Sequence, residues 1–116
     1  AKTAAAGQRL IWYTPTQYCH FDPVQLELGV KGCTAALYNM CVEPDGAVLP
    51  CQSYYQPVGN LLRDPWPSIW EHELCIRLRE RRYVPDACQE CILLPECGGG
   101  CPLEPVTPAP VCLPPA

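Results

Sequence analysis

A chain of 116 residues can hold one small domain with a thin core, and its formal net charge of −4 offers no basic stripe to nucleic acid. No run of about 18 apolar residues occurs, so no membrane span is predicted. Ten cysteines and fifteen prolines in this length imply irregular backbone that metal or disulfide bonds, rather than a core, must hold. The start, AKTAAAGQ, has no apolar h-region and no initiator methionine, which reads as a processed or excised, non-secreted chain. Its expected place is the reducing cytoplasm, where clustered cysteines bind metal more often than they pair.

In chain order, Arg9 to Tyr13 (RLIWY) read as a short strand ended by Pro15, so residues 1–18 form a lead-in strand and linker. TQYCHFDP follows as a loop bearing Cys19 and His20, and Asp22-Pro23 can open only one turn of helix. Tyr38 to Glu43 and Ala47 to Leu49 are predicted strands around the turn Pro44-Asp45-Gly46. The result is a β-hairpin with Cys33 before it and Cys51 after it.

One helix is then predicted. Ser68 and Glu71 have the spacing of a capping box, and Trp70, Leu74 and Leu78 make one apolar stripe. Glu71 and Glu73 near its start, and Arg77, Arg79, Arg81 and Arg82 near its end, suit the helix dipole. Those arginines read as a solvated helix end, and Pro85 stops the helix. Beyond Cys101, six of the last fifteen residues are proline, which favours polyproline II. The expected fold class is a small, irregular, metal-stapled α+β domain: a β-hairpin, one α-helix and cysteine-rich loops.

The chemistry concentrates in CQECILLPECGGGC, Cys88 to Cys101, with spacing C-x2-C-x5-C-x3-C and Pro102 at once after it. Thiolates hold iron–sulfur cores, and a C-x2-C step puts two sulfurs on one core with little strain. Gly98, Gly99 and Gly100 permit the positive φ angles that bring backbone close to a bulky ligand. Zinc is the alternative occupant, although its structural sites usually pair two knuckles and only Cys88–Cys91 forms one here.

The full pattern, C33-x12-G46-x4-C51, then C88-x2-C91-x5-C97-x3-C101, then C112, resembles the seven-cysteine signature of the SPASM domain. That domain is the auxiliary-cluster module of many radical S-adenosylmethionine enzymes. EPDGAVLPC, Gly59-Asn60 and the DPW…IW helix start are similar to the same family, and Trp12 to Gly32 resemble its lead-in segment. The resemblance implies a SPASM/twitch-like domain over 19–112, a tail at 113–116, and two 4Fe–4S clusters. It assigns Cys33, Cys51 and Cys101 to the first cluster, with Cys19 as candidate fourth ligand or else an iron left open to substrate. Cys88, Cys91, Cys97 and Cys112 go to the second. It further implies electron transfer within a peptide- or protein-modifying oxidoreductase or maturase. The partners would be a radical S-adenosylmethionine core domain or chain, a peptide or protein substrate, and a donor such as ferredoxin or flavodoxin.

The sequence departs from the whole enzymes in one respect. The C-x3-C-x2-C triad that binds the reducing cluster is not found, because Glu104 stands where a third thiol should follow Cys97–Cys101. A barrel core does not fit in this length either. Hence no catalysis is expected from these residues alone.

Other features have plain readings. Cys41 reads as a packed strand residue, Cys75 as a partly exposed thiol rather than a His72/Cys75 metal pair, and His20 as a loop residue. Tyr54 and Tyr55 read as core packing. No nucleophile–base–orienter set emerges. The rival class is a cysteine-rich module, zinc- or cluster-stapled, that binds a peptide or partner without redox chemistry.

Overall fold

The computed structural model describes residues 2–107. Its elements in order are α1 (Lys2–Ala5), β1 (Cys41–Val42), β2 (Ala47–Leu49), β3 (Gly59–Asn60), α2 (Trp66–Trp70), α3 (Glu73–Arg79), α4 (Asp86–Gln89) and α5 (Leu94–Cys97). They fall into two compact units: Thr34–Tyr83, and the N-terminal segment to Cys33 together with the chain from Val84 onward.

The unit 34–83 is built on a three-stranded antiparallel sheet in the order β1-β2-β3, with Val42 opposite Val48 and Val48 opposite Gly59. The predicted hairpin is present. Gly46, at φ 89°, donates its N–H to the Glu43 carbonyl, and the Asp45 carboxylate accepts from Ala47 N at 3.0 Å. A Cβ on Gly46 would stand 2.6 Å from Asn60 Oδ1, so both conformation and space require glycine there. The predicted first strand is shortened, because Leu37, Tyr38 and Asn39 all donate to the Thr34 carbonyl and fold into a turn.

Asn60 explains the third strand. Its side chain donates to the Asp45 carbonyl at 3.1 Å and accepts from Leu62 N at 2.9 Å, while its own N–H donates to Asp64. Among the described residues it is the buried polar one, and its side-chain oxygen, amide and backbone N–H all have partners.

The predicted single helix is two. α2 begins with Pro67 in its first turn, where a missing N–H costs nothing, and the chain leaves helical geometry at His72, ψ 140°. His72 Nδ1 then caps α3 by accepting from Leu74 N at 3.1 Å. Ser68 does not form the expected capping box, since its hydroxyl donates back to the Pro65 carbonyl. Because the helix breaks, the buried stripe is Ile69, Leu74, Cys75 and Leu78 rather than one through Trp70. With Val48, Leu49 and Val58 these form the core, each large side chain contributing about 1.5–3 kcal/mol by burial.

Arg79 is not simply a solvated helix end. Its guanidinium lies 4.2 Å over the Trp70 ring and donates to the carbonyls of Ala36 and Trp70.

The other unit has no sheet among its described residues. Residues 9–13, predicted as a strand, run without strand pairing, and Tyr13 is 84 % exposed. RLIWY has strand composition, but no partner ladder is offered to it. The unpredicted α1 and the short α4 and α5 supply its helical turns. Of the proline-rich tail, residues 108–116, with Cys112, lie outside the described residues.

Candidate metal centre

Local hydrogen bonding decides where the thiols go. Cys88 N–H donates to the Pro85 carbonyl, Cys91 N–H to Cys88, and Leu94 N–H to Cys91. Three successive three-residue turns therefore stack Cys88 and Cys91 on one side, since side chains three apart eclipse in such turns. α5 then carries Cys97 and ends at Gly98, in left-handed conformation at φ 59°. Gly99 and Gly100 follow at φ 79° and 80°, reversing the chain toward residues 16–17. A Cβ on Gly100 would come 3.2 Å from Gln17 N.

That reversal seats Thr16 to His20 against the arm. Tyr18 N donates to Cys97 Sγ at 3.3 Å, and the Cys97 thiol faces the Thr16 carbonyl at 3.8 Å. The Tyr18 ring is buried, its hydroxyl accepting from Lys31 N at 2.8 Å. Gln17 donates to the Pro105 carbonyl and accepts from Thr107 N. His20 and Phe21 N–H groups both donate back to the Gln17 carbonyl, closing a turn around Cys19.

Four thiols thereby line one cavity: Cys19, Cys88, Cys91 and Cys97, with Leu94 and Val106 as apolar walls. Cys88 and Cys97 are buried, and Cys19 and Cys91 half-buried. Burial pushes the Cys88 thiol above its ordinary value, and the neighbouring Cys91, Cys19 and Cys97 push it further. The Cys88 thiol therefore keeps its proton until a cation takes its place.

The donor set fits an iron–sulfur core: all four groups are thiols, and no carboxylate or imidazole lines the cavity among the described residues. The room between them is about 20 Å³. That admits a water but is smaller than a four-iron core, so uptake requires the thiols to spread. They surround the cavity without converging, and among the described residues no three His, Cys, Asp or Glu side chains could hold one metal ion.

The remaining candidates stand elsewhere. Cys33 and Cys101 share the unit of this cavity but do not line it, and Cys51, whose Sγ accepts from Ser53 N at 3.4 Å, belongs to the unit 34–83. The structure thus places Cys19 beside Cys88, Cys91 and Cys97; Cys112 lies outside the described residues. Cys75, expected as a partly exposed thiol, is fully buried between core residues; the helix break at His72 turns it inward. Burial raises its thiol above the ordinary value against the lowering pull of Arg79. His72 spends its Nδ1 on the α3 cap. Tyr55 is 80 % exposed and packs no core. Sequence reasoning missed the role of Thr16 and Gln17 as the clamp; the only signal was the cysteine between two prolines in PTQYCHFDP.

A family profile described as SPASM, an iron–sulfur cluster-binding domain, matches residues 33–92, just over half of the chain. The chain belongs to this family of iron–sulfur cluster-binding domains. The matched span contains Cys33, Cys51, Cys88 and Cys91 and stops short of Cys97. No curated protein and no solved structure matches the chain. Among the described residues no helix is long and apolar enough to cross a membrane.

Proposed function

We propose that this chain is the auxiliary domain of a cytoplasmic radical S-adenosylmethionine enzyme that modifies a peptide or protein, and that its cysteines, over 19–112, hold two 4Fe–4S clusters. The observation that carries the reading is the thiol-lined cavity in a chain of the iron–sulfur cluster-binding family. When bound, such a core supplies one-electron transfer, which here would link a ferredoxin- or flavodoxin-type donor, the radical core and the substrate.

The chain's own residues have definite tasks in that scheme. The thiols of Cys88, Cys91 and Cys97 bind as thiolates after giving up their protons. The Tyr18 N–H donates to the Cys97 sulfur, which spreads its negative charge and favours the reduced state. Leu94 and Val106 limit water at the sulfurs.

The test is anaerobic purification with iron, sulfide and zinc counted together. The expected content is about eight irons and eight sulfides per chain, two 4Fe–4S units. A stable content of four irons would contradict the two-cluster reading. Colourless protein holding zinc alone would favour the peptide-binding module instead.

A further inference from the structure

We propose that Arg77, Arg81 and Arg82, at the C-terminal end of α3, form the docking patch for an acidic protein that delivers electrons to this domain. This rests on the iron–sulfur reading above. The backbone gathers the three residues: Arg81 N donates to the Leu78 carbonyl, and Arg82 N to the Arg77 carbonyl at 3.0 Å. Residues 77–82 carry four arginines against one glutamate, in a chain whose net charge is −4. Arg77 is exposed and has no ion pair among the described residues. Arg82 pairs with Glu80, but both side chains stay more than half exposed, so the pair is weak and easily exchanged.

Arg81 carries the argument. It stands at φ 55°, the left-handed position just past the helix where glycine is usual. That conformation is unfavourable for a residue with a Cβ and open to glycine. The helix dipole does not account for an arginine there, because Arg77 and Arg79 already occupy the last turn, where the dipole acts. Backbone strain kept for the sake of a charged side chain points to a use for the charge.

An exposed basic patch suits a transient acidic partner. Such charges add little lasting affinity, but they speed encounter and set orientation, and redox encounters rest on small contacts of this kind. The patch is also near the thiols along the chain: the backbone from Arg82 to Cys88 spans at most about 20 Å.

The test follows bleaching of the cluster absorbance in the full chain, reconstituted anaerobically, after mixing with reduced flavodoxin, an acidic donor. The wild-type rate should fall steeply as salt is raised. Arg81→Gly should slow reduction at low salt, and Arg77→Gln/Arg81→Gly should slow it about tenfold, with the differences vanishing at high salt. Arg9→Gln, which removes an exposed charge elsewhere, should leave the rate unchanged. Photoreduced deazaflavin, small and uncharged, should reduce all of these chains equally.

Stability supplies a second readout. The denaturant midpoint of Arg81→Gly should equal or exceed that of the wild type, since glycine relieves the left-handed turn; a lowered midpoint would make Arg81 a structural residue and overturn the inference. So would a double variant that flavodoxin reduces at the wild-type rate, an Arg9→Gln chain slowed as much, or a wild-type chain that deazaflavin reduces and flavodoxin does not. A wild-type chain that holds no iron, or that neither reductant bleaches, would instead sink the iron–sulfur reading, and this inference with it.

Discussion

The two units of this chain are held by different physics. Residues 34–83 have a hydrogen-bonded sheet, a capped helix and a core in which Val48, Ile69 and Cys75 are fully buried. The unit that carries the thiol cavity has four-residue helices and no sheet among its described residues. Its order comes from side-chain clamps such as Gln17 to Pro105 and Thr107, and from the left-handed run Gly98, Gly99 and Gly100. Ordering such backbone costs about 1–2 kcal/mol per residue, and the buried apolar side chains that offset it, Tyr18, Pro23 and Val84 with the thiols of Cys88 and Cys97, are few. A ligand that binds only the ordered form makes up the difference. The lesson is that the sheet unit is a scaffold with its own stability, whereas the thiol unit is a binding site that its ligand finishes.

Breaking the scaffold should give the largest effect. Ile69→Ala empties a fully buried position under Gly59 and should cost about 2–5 kcal/mol, read as a lowered denaturant midpoint for residues 34–83 in the apo chain. Asn60→Ala should cost about 1–3 kcal/mol, because the Asp45 carbonyl and Leu62 N–H both lose their partner. An apo chain indifferent to both changes would mean the sheet has no independent stability.

A pH series separates the two units without mutation. Cys75 has its thiol raised by burial, so its neutral form is favoured in the folded state. The stability it confers is fully present below the ordinary thiol value of 9.0 and is lost as pH rises through the folded value. The scaffold should therefore weaken above about pH 9. The thiol cavity should respond the other way. Cys88 holds its proton more tightly than usual, so iron uptake must expel it, and loading should tighten as pH rises through the neutral range with measurable proton release. Uptake that is independent of pH would place the ligand somewhere other than this cavity.

The smallest expected effect is a null one. Cys75→Ala and Cys41→Ser alter scaffold cysteines, one buried in the core and one paired opposite Leu49 in the sheet. Neither should change the iron and sulfide count. Iron lost from Cys75→Ala would add a core thiol to the ligand set.

How much of this could be read from the chain depended on whether a signal was local. The hairpin was legible because Pro44-Asp45-Gly46 dictates a turn and the apolar run Ala47 to Leu49 pairs back on Cys41 and Val42. The small α+β class and the metal signature were legible for the same reason, since C-x2-C and C-x3-C are short-range spacings. The helix break was not, because His72 caps through its own ring nitrogen, a use that periodicity does not register. Cys75 was misread with it: one non-helical residue rotates the following turn into the core. The strand expected at Arg9 to Tyr13 failed because composition specifies a strand only when another strand is there to pair with it. The clamp at Thr16 to His20 is made with residues about eighty to ninety positions away, which no local pattern announces.

Hydrogen exchange on matched apo and iron–sulfur-loaded samples tests the central contrast most directly. Loading should raise protection across 16–20 and 85–107 by orders of magnitude, while β2 and α3 keep nearly the same protection in both states. Equal protection of the cysteine arm with and without its ligand would contradict the account, because the thiol unit would then be as self-sufficient as the sheet.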